Sequence, residues 1–218
     1  MSCCTATATR GSCRVPATRT PTPRRKRASK KAPGLIAAIA AEHPDKQVQV
    51  FFQDEARFGQ RGTLTRMWAR TGSRPTAVKQ TRYDYLYVLA AACPATGQTV
   101  GLLSPQLNTG AVNSFFEQFA AEADPSVHAV VIWDRAGFHT SNGLKPPPNV
   151  SLIELPPYSP ELNPIENLWH YLRSHHWSNQ AYNDYNALRA AACTAWHKTC
   201  LDPHVIKSVC AAPYLERQ

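Results

Sequence analysis

The chain has 218 residues and lacks any run of about 18 consecutive apolar residues, so the sequence predicts no membrane-spanning helix. Residues 1–31 contain no apolar stretch of the kind that a secretory signal needs. None of the seven cysteines forms a C-x-x-C pair, and their number is odd, so neither a zinc site nor a disulfide framework is expected. These absences favour a cytoplasmic protein of about one domain, with incidental thiols.

Acidic residues are missing from residues 1–31, which hold nine of the 24 Lys and Arg residues. Residues 32–218 contain 15 basic and 15 acidic residues, so the formal charge of +9 comes from the first segment alone. Basicity of the whole chain is therefore weak evidence for nucleic-acid binding. Because this segment is rich in Thr, Ala, Pro and Arg and has no helical or strand period, we expect a disordered basic tail over residues 1–33.

From residue 34 the apolar pattern predicts a mixed α/β domain that extends to about residue 200, followed by a C-terminal extension over residues 201–218. The predicted elements are a short helix from 35 to about 43, strands at 48–52, 85–92, 99–103, 129–133 and 150–155, and helices at 109–123, 165–173 and 185–199. The strands at 85–92 and 99–103 should form a hairpin. The helix at 109–123 has Asn108 or Thr109 as its cap, and its predicted buried face is Val112, Phe115, Phe116 and Phe119.

Three carboxylates occupy positions that suit a shared site. Asp54 and Asp134 each lie next to an apolar strand, and Glu166 lies in the first turn of a helix after a Pro-rich loop. Catalytic groups of α/β sheets tend to lie at strand ends. Three converging carboxylates would repel one another unless a hard cation neutralised them, and Mg²⁺ or Mn²⁺ is the natural candidate. Two such ions are typical of phosphodiester chemistry.

Each carboxylate also has a structural interpretation. An Asp after a strand is often a turn residue or a helix cap. The order Asn163-Pro164-Ile165-Glu166 is typical of a capping box, with Asn163 as the N-cap and Glu166 three residues into the helix. Spacing alone therefore leaves both interpretations open.

The sequence around these residues resembles a known family. The segments QDEARF (53–58), WDRAGFH (133–139) and LPPYSPELNPIENLW (155–169) are similar to the three signatures of bacterial insertion-sequence transposases of the mariner-related DDE group. The third segment is the most specific, since it matches over fifteen residues of mixed character. The resemblance runs from about residue 33 to about residue 199.

This resemblance implies an RNase H-like fold, a mixed sheet flanked by helices, and it assigns the metal-binding catalytic triad to Asp54, Asp134 and Glu166. It also implies a DNA transposase that uses Mg²⁺ or Mn²⁺ for cleavage and strand transfer. The implied partners are the ends of an insertion sequence, a TA target and a second copy of the chain in a homodimer, in the bacterial cytoplasm.

The N-terminal segment departs from the family. Such transposases carry helix-turn-helix modules before the catalytic domain, but residues 1–31 offer no apolar stripe and no capped helix start. We expect that this segment arises from a shifted reading frame, with the family-like frame resuming near residues 30–34. The spacing of 31 residues between Asp134 and Glu166 is typical of the bacterial branch.

Residues 57–82 contain seven basic residues and no acid, so this segment could face DNA phosphates or a second protomer, or form a solvated basic face. The candidate DNA contacts are Arg57, Arg61, Arg66, Arg70, Arg74 and His139. A hydrogen-bonding structural role is the alternative for His139. Asn163 and Asn167, which flank Glu166, are expected to cap the helix or orient its first residues rather than to bind metal. Trp169, Leu168 and Leu172 should belong to the core.

Two other functions remain open. An RNase H-like nuclease would cut without joining strands, and the PPYSP loop before Asn163 argues for the transposase instead. A truncated, non-catalytic relic or inhibitor of a full-length transposase is the non-enzymatic alternative.

Overall fold

The computed structural model describes residues 23–60, 69–73, 80–134, 143–156 and 162–212, and the single positions 62, 65, 76 and 159. Its elements are α1 (Pro23–Glu42), β1 (Gln47–Gly59), β2 (Tyr85–Ala92), β3 (Thr99–Ser104), α2 (Thr109–Glu122), β4 (Val127–Trp133), β5 (Val150–Glu154), α3 (Ile165–Leu172), a π-helical turn (Arg173–Trp177), α4 (Tyr185–Thr199) and α5 (Pro203–Val209). None of these helices is long and apolar enough to cross a membrane.

The five strands form one mixed sheet in the order β3-β2-β1-β4-β5. β2 pairs antiparallel with β1 and with β3, which confirms the predicted hairpin, whereas β4 pairs parallel with β1 and β5. The central strand β1 changes partners along its length. Its first half pairs with β4 as far as Phe52, and its second half pairs with β2 from Phe52 to Gly59.

Helices cover both faces of the sheet. α2 buries its four predicted apolar residues against one face, beside Phe51 and Val131. α3, α4 and α5 pack on the other face, against Phe52 and Ile132. Because side chains alternate along a strand, neighbouring residues of β1 and β4 enter opposite cores. This arrangement is the predicted mixed sheet flanked by helices.

Two segments differ from the sequence predictions. Residues 23–33, expected to lie in the disordered tail, are the first half of α1. Lys, Arg and Ala are strong helix formers and Pro23 suits the first helical position, which favours a helix over residues 23–32; Pro33, inside α1, is unfavourable for it. α5, which no pattern predicted, buries Ile206 in the core beside α3. The folded domain therefore continues past residue 200.

The cysteines that the structure describes are free thiols, as expected. Cys93, Cys200 and Cys210 are buried and Cys193 is exposed. Burial raises the pKa of the Cys210 thiol to about 12 and that of Cys200 further, so both remain protonated and unreactive at neutral pH.

Candidate active site

The two candidate aspartates lie at the same level of two neighbouring parallel strands. The pairing of β1 with β4 runs as far as Phe52 opposite Ile132, and Asp54 and Asp134 each come two residues later. Adjacent strands lie about 4.8 Å apart. The sheet therefore brings the backbones of these two residues close together where the parallel pairing ends.

The position of Asp54 within its strand differs from the prediction. The sequence predicted a strand ending at Phe52, but β1 continues to Gly59, so Asp54 lies inside it opposite Ala90 of β2. The polar residues continue as strand because β2 supplies an antiparallel partner on one side. On the other side, the pairing with β4 ends at Phe52, two residues before Asp54.

Strand alternation determines which face each carboxylate joins. Phe52 and Ala56 flank Asp54 on the same face of β1, and both belong to the core under α3. Ile132, two residues before Asp134, belongs to the same core. Asp54 is partly buried and Asp134 is exposed, so the site lies at the rim of the core beneath α3.

Glu55 belongs to the opposite face. Its Oε1 accepts a hydrogen bond of 2.9 Å from Nε2 of Gln53, which is its neighbour on that face. Glu55 is adjacent to Asp54 in the chain, but its side chain leaves the sheet on the α2 side. Its side chain therefore leaves β1 on the face opposite to that of Asp54, although its charge still raises the pKa of Asp54.

α3 carries the third carboxylate. Glu166 is the second residue of α3 and is exposed, whereas Ile165, Leu168, Trp169 and Leu172 form the buried face of the helix. The predicted core assignment of Leu168, Trp169 and Leu172 is confirmed. Glu166 therefore projects from the exposed face of α3, next to the buried face that packs on the core.

The predicted capping box is not formed. The N-cap position of α3 is Pro164, which makes no side-chain capping hydrogen bond. Asn163 instead accepts a weak hydrogen bond of 3.3 Å from the Ile165 N–H, and its Nδ2 donates to the Gln53 carbonyl at 2.9 Å. Asn163 thus orients α3 against β1, and the helix start does not engage the Glu166 carboxylate.

Trp169 contacts the site directly. Its indole Nε1 donates a 2.8 Å hydrogen bond to Oδ2 of Asp54. From the sequence, Trp169 is expected only in the core, and its contact with Asp54 is not predicted. A signal existed, because a buried indole N–H usually finds an acceptor and Trp169 lies one helical turn after Glu166.

The electrostatics of Asp54 are strongly perturbed. Burial and, after it, the charges of Glu55 and Glu166 raise its pKa from 3.8 to about 7, while hydrogen bonds from Trp169 and from the Glu55 backbone oppose the rise. The contribution of Glu166 means that its carboxylate lies within electrostatic range of Asp54. The carboxyl group of Asp54 is therefore poorly solvated and lies near other negative charges.

The side chains suit a hard divalent cation by their chemistry. Carboxylate oxygens are the preferred ligands of Mg²⁺ and Mn²⁺, and a cation would relieve the repulsion that raises the pKa of Asp54. Among the residues that the structure describes, no three His, Cys, Asp or Glu side chains converge closely enough to form a metal site by geometry alone. The strand pairing places Asp54 and Asp134 at the same level of neighbouring strands, and Trp169 links Asp54 to α3, which carries Glu166.

The candidate DNA-contact residues are only partly covered by the structure. Arg57 and Arg70 are exposed, and the Arg57 guanidinium lies 5.4 Å from the centre of the Tyr85 ring. The other four candidates lie outside the described residues: Arg61, Arg66, Arg74 and His139.

Comparisons with known proteins identify a family for this chain and solved structures of similar fold. The family model for DDE superfamily endonucleases matches residues 49–189, which include all three carboxylates. An uncharacterised protein of Sinorhizobium fredii (strain NBRC 101917 / NGR234), y4pE/y4sA, is 38% identical over 125 residues, which are 57% of this chain and 93% of that protein.

The fold is similar to solved transposase structures. The Mos1 transposase catalytic domain, solved with raltegravir and Mn, matches with a TM-score of 0.59 and 10% identity over 92% of this chain and 95% of that domain. The Mos1 strand transfer complex matches with a TM-score of 0.57 and 13% identity over 88% of this chain. The present chain spans 58% of the transposase in that complex. By its match over residues 49–189, the chain belongs to the DDE superfamily of endonucleases, and its fold is that of a transposase catalytic domain.

Proposed function

We propose that this chain is the catalytic domain of a DNA transposase that cleaves and joins phosphodiester bonds at the ends of an insertion sequence. Asp54, Asp134 and Glu166 would hold the divalent ions. The observation that carries the proposal is geometric: Asp54 and Asp134 each come two residues after the last pair of the parallel strands β1 and β4, and hydrogen bonds from Asn163 and Trp169 hold the start of α3, with Glu166, against β1. Three acidic groups at one rim fit a site that is completed by cations.

The chain would contribute positioning and charge. Asp54 offers a carboxylate with one oxygen already bonded to Trp169, and Glu166 offers an exposed carboxylate at the edge of α3. When bound, Mg²⁺ or Mn²⁺ ions would lower the pKa of an attacking water and stabilise the leaving oxygen. No Ser or Tyr nucleophile is needed for this chemistry.

DNA is the proposed substrate. The Mos1 structures include a paired-end complex with a left transposon end, which makes DNA ends the natural substrate class to test here. Exposed Arg57 and Arg70 belong to the acid-free segment 57–82, which would contact phosphates. A TA target, a homodimer and a location in the bacterial cytoplasm complete the proposal.

A joining assay tests this function. Purified protein is incubated with pre-cut duplex ends carrying a free 3′-hydroxyl and a supercoiled target plasmid, with Mg²⁺, Mn²⁺ or EDTA. We expect joining that requires the metal ion. Ala replacements of Asp54, Asp134 and Glu166, made singly, should each lower the rate by about 100-fold or more, because each removes charge that the site supplies.

Glu117→Ala is the matched control, since Glu117 is an exposed carboxylate on α2, across the sheet from the site. The rate of joining by Glu117→Ala should equal that of the wild-type protein. Nicking of the plasmid without joining would favour the nuclease alternative. Full activity in any one triad variant would remove that residue from the site, and joining in EDTA would contradict metal-dependent chemistry.

A further inference from the structure

Two side-chain hydrogen bonds fasten α3 to β1 on either side of Glu166. Asn163, three residues before Glu166, donates to the Gln53 carbonyl at 2.9 Å. Trp169, three residues after it, donates to Asp54 Oδ2 at 2.8 Å. The acceptors are consecutive residues of β1. The segment that carries Glu166 is therefore tied at both ends to the part of the strand that carries Asp54.

The bond from Trp169 is well defined by its surroundings. The Trp169 side chain is 1% exposed and belongs to the core under α3. Packing fixes the ring plane, and the N–H direction follows from that plane because an indole has a single donor. The carboxylate must rotate to meet the donor, so Oδ2 is committed to Trp169, and a hydrogen bond from the Glu55 backbone also contacts the carboxylate.

The same bond relates Asp54 to Glu166. Residues three apart on a helix are neighbours on its surface, so Glu166 and Trp169 project from adjacent positions of α3. A rotation of α3 that moved Glu166 away from the site would also break the 2.8 Å bond. The hydrogen bond therefore fixes the helix angle at which Glu166 approaches Asp54.

We infer that Trp169 is a positioning residue of the proposed metal site: its indole N–H holds Oδ2 of Asp54, fixes the orientation of that carboxylate towards a divalent cation and sets the approach of Glu166. This inference rests on the proposed function, because it requires Asp54 to be a metal ligand. Residues that hydrogen-bond to a metal ligand, without binding the metal themselves, typically contribute 10- to 100-fold to metal affinity.

The chain contains a matched control for Trp169. Trp177, in the π-helical turn that follows α3, is 3% exposed and belongs to the same core, stacked on Phe58 at 4.4 Å. Its indole Nε1 is buried and has no hydrogen-bond partner among the described residues. Trp177→Phe thus removes the same atoms from the same core without removing a bond to a carboxylate.

The test measures Mn²⁺ affinity by electron paramagnetic resonance, together with the free energy of unfolding. We expect Trp169→Phe to weaken Mn²⁺ binding by about 10-fold or more and Trp177→Phe to change it by less than about twofold. Asp54→Asn should abolish the site. Equal Mn²⁺ affinities in the two Trp variants would overturn the positioning role, while loss of binding in Asp54→Asn would still support the proposed function.

Unchanged Mn²⁺ binding in Asp54→Asn would instead contradict the metal site itself. If Trp169→Phe does not fold, nuclear magnetic resonance of the unchanged ¹⁵N-labelled protein tests the same bond. On addition of Mg²⁺, the indole N–H resonance of Trp169 should shift with the midpoint of ion binding, and that of Trp177 should not. A Trp169 resonance unmoved by saturating Mg²⁺ would overturn the inference.

Discussion

Replacement of Asp54 by Asn should stabilise the protein when no divalent ion is present. Burial and the neighbouring charges of Glu55 and Glu166 raise the pKa of Asp54 from 3.8 to about 7. A rise of about 3 units costs the ionised form about 4 kcal/mol, at about 1.4 kcal/mol per unit. Asn has nearly the same shape, and its carbonyl oxygen can still accept the hydrogen bond from Trp169. The substitution therefore removes the charge and leaves the packing unchanged.

The effect has a defined pH dependence. Below pH 3.8 Asp54 is protonated in both the folded and the unfolded state, so its ionisation does not affect stability. Between pH 3.8 and about 7 the unfolded chain releases a proton that the folded chain retains, and stability falls as the pH rises. Above pH 7 the full cost is present. Asp54→Asn should thus be more stable than the unchanged chain by up to about 4 kcal/mol at pH 8 and close to it at pH 4.

Urea unfolding at pH 4, 6 and 8 in EDTA measures this difference, and a parallel series in saturating Mg²⁺ measures its relief by a cation. Mg²⁺ should stabilise the unchanged chain and not the variant, because binding to the folded state alone raises stability. Asp45→Asn, at an exposed position after α1, should change stability by less than about 0.5 kcal/mol. A variant that is no more stable than the unchanged chain at pH 8 would refute the reasoning.

Further unfolding experiments test the fold. Burial holds the pKa of His128 below 6.5, so acidification through pH 6.5 should destabilise the unchanged chain relative to His128→Gln; parallel pH profiles would contradict this. A Cβ on Gly101 would lie 2.3 Å from the Trp196 ring, so Gly101→Ala should cost about 1–3 kcal/mol. Gly34→Ala, in an open position of α1, should stabilise by about 0.5–1 kcal/mol, and a loss would argue against that helix. Asn108→Ala removes the α2 cap and should cost about 1 kcal/mol.

Elements with strong local signals were predicted closely. The strand at 85–92 and the helix at 185–199 have their predicted bounds, and Asn108 caps α2 as expected. In these places the apolar period and the boundary residues act within a few positions of each other, so the local sequence contains the information.

Elements that depend on distant partners were predicted less well. β1 is 13 residues long, whereas its apolar run covers only residues 48–52, because pairing with β2 extends it through polar residues. The helix at 23–33 and α5 likewise lack an apolar period of their own. Their existence follows from helix propensity in one case and from docking of Ile206 in the other.

The candidate site shows the same difference between features that the local sequence predicts and features that depend on distant residues. The sequence by itself determined the family and predicted the three candidate carboxylates, because the motifs around Asp54, Asp134 and Glu166 are contiguous and specific. Only the tertiary structure decided that Trp169 hydrogen-bonds Asp54 and that Glu166 raises its pKa. Residues 54 and 169 are 115 positions apart, and no local pattern encodes the packing of α3 on β1 that joins them. Contacts of this kind arise from burial of two apolar surfaces against each other, which the chain completes only when it folds.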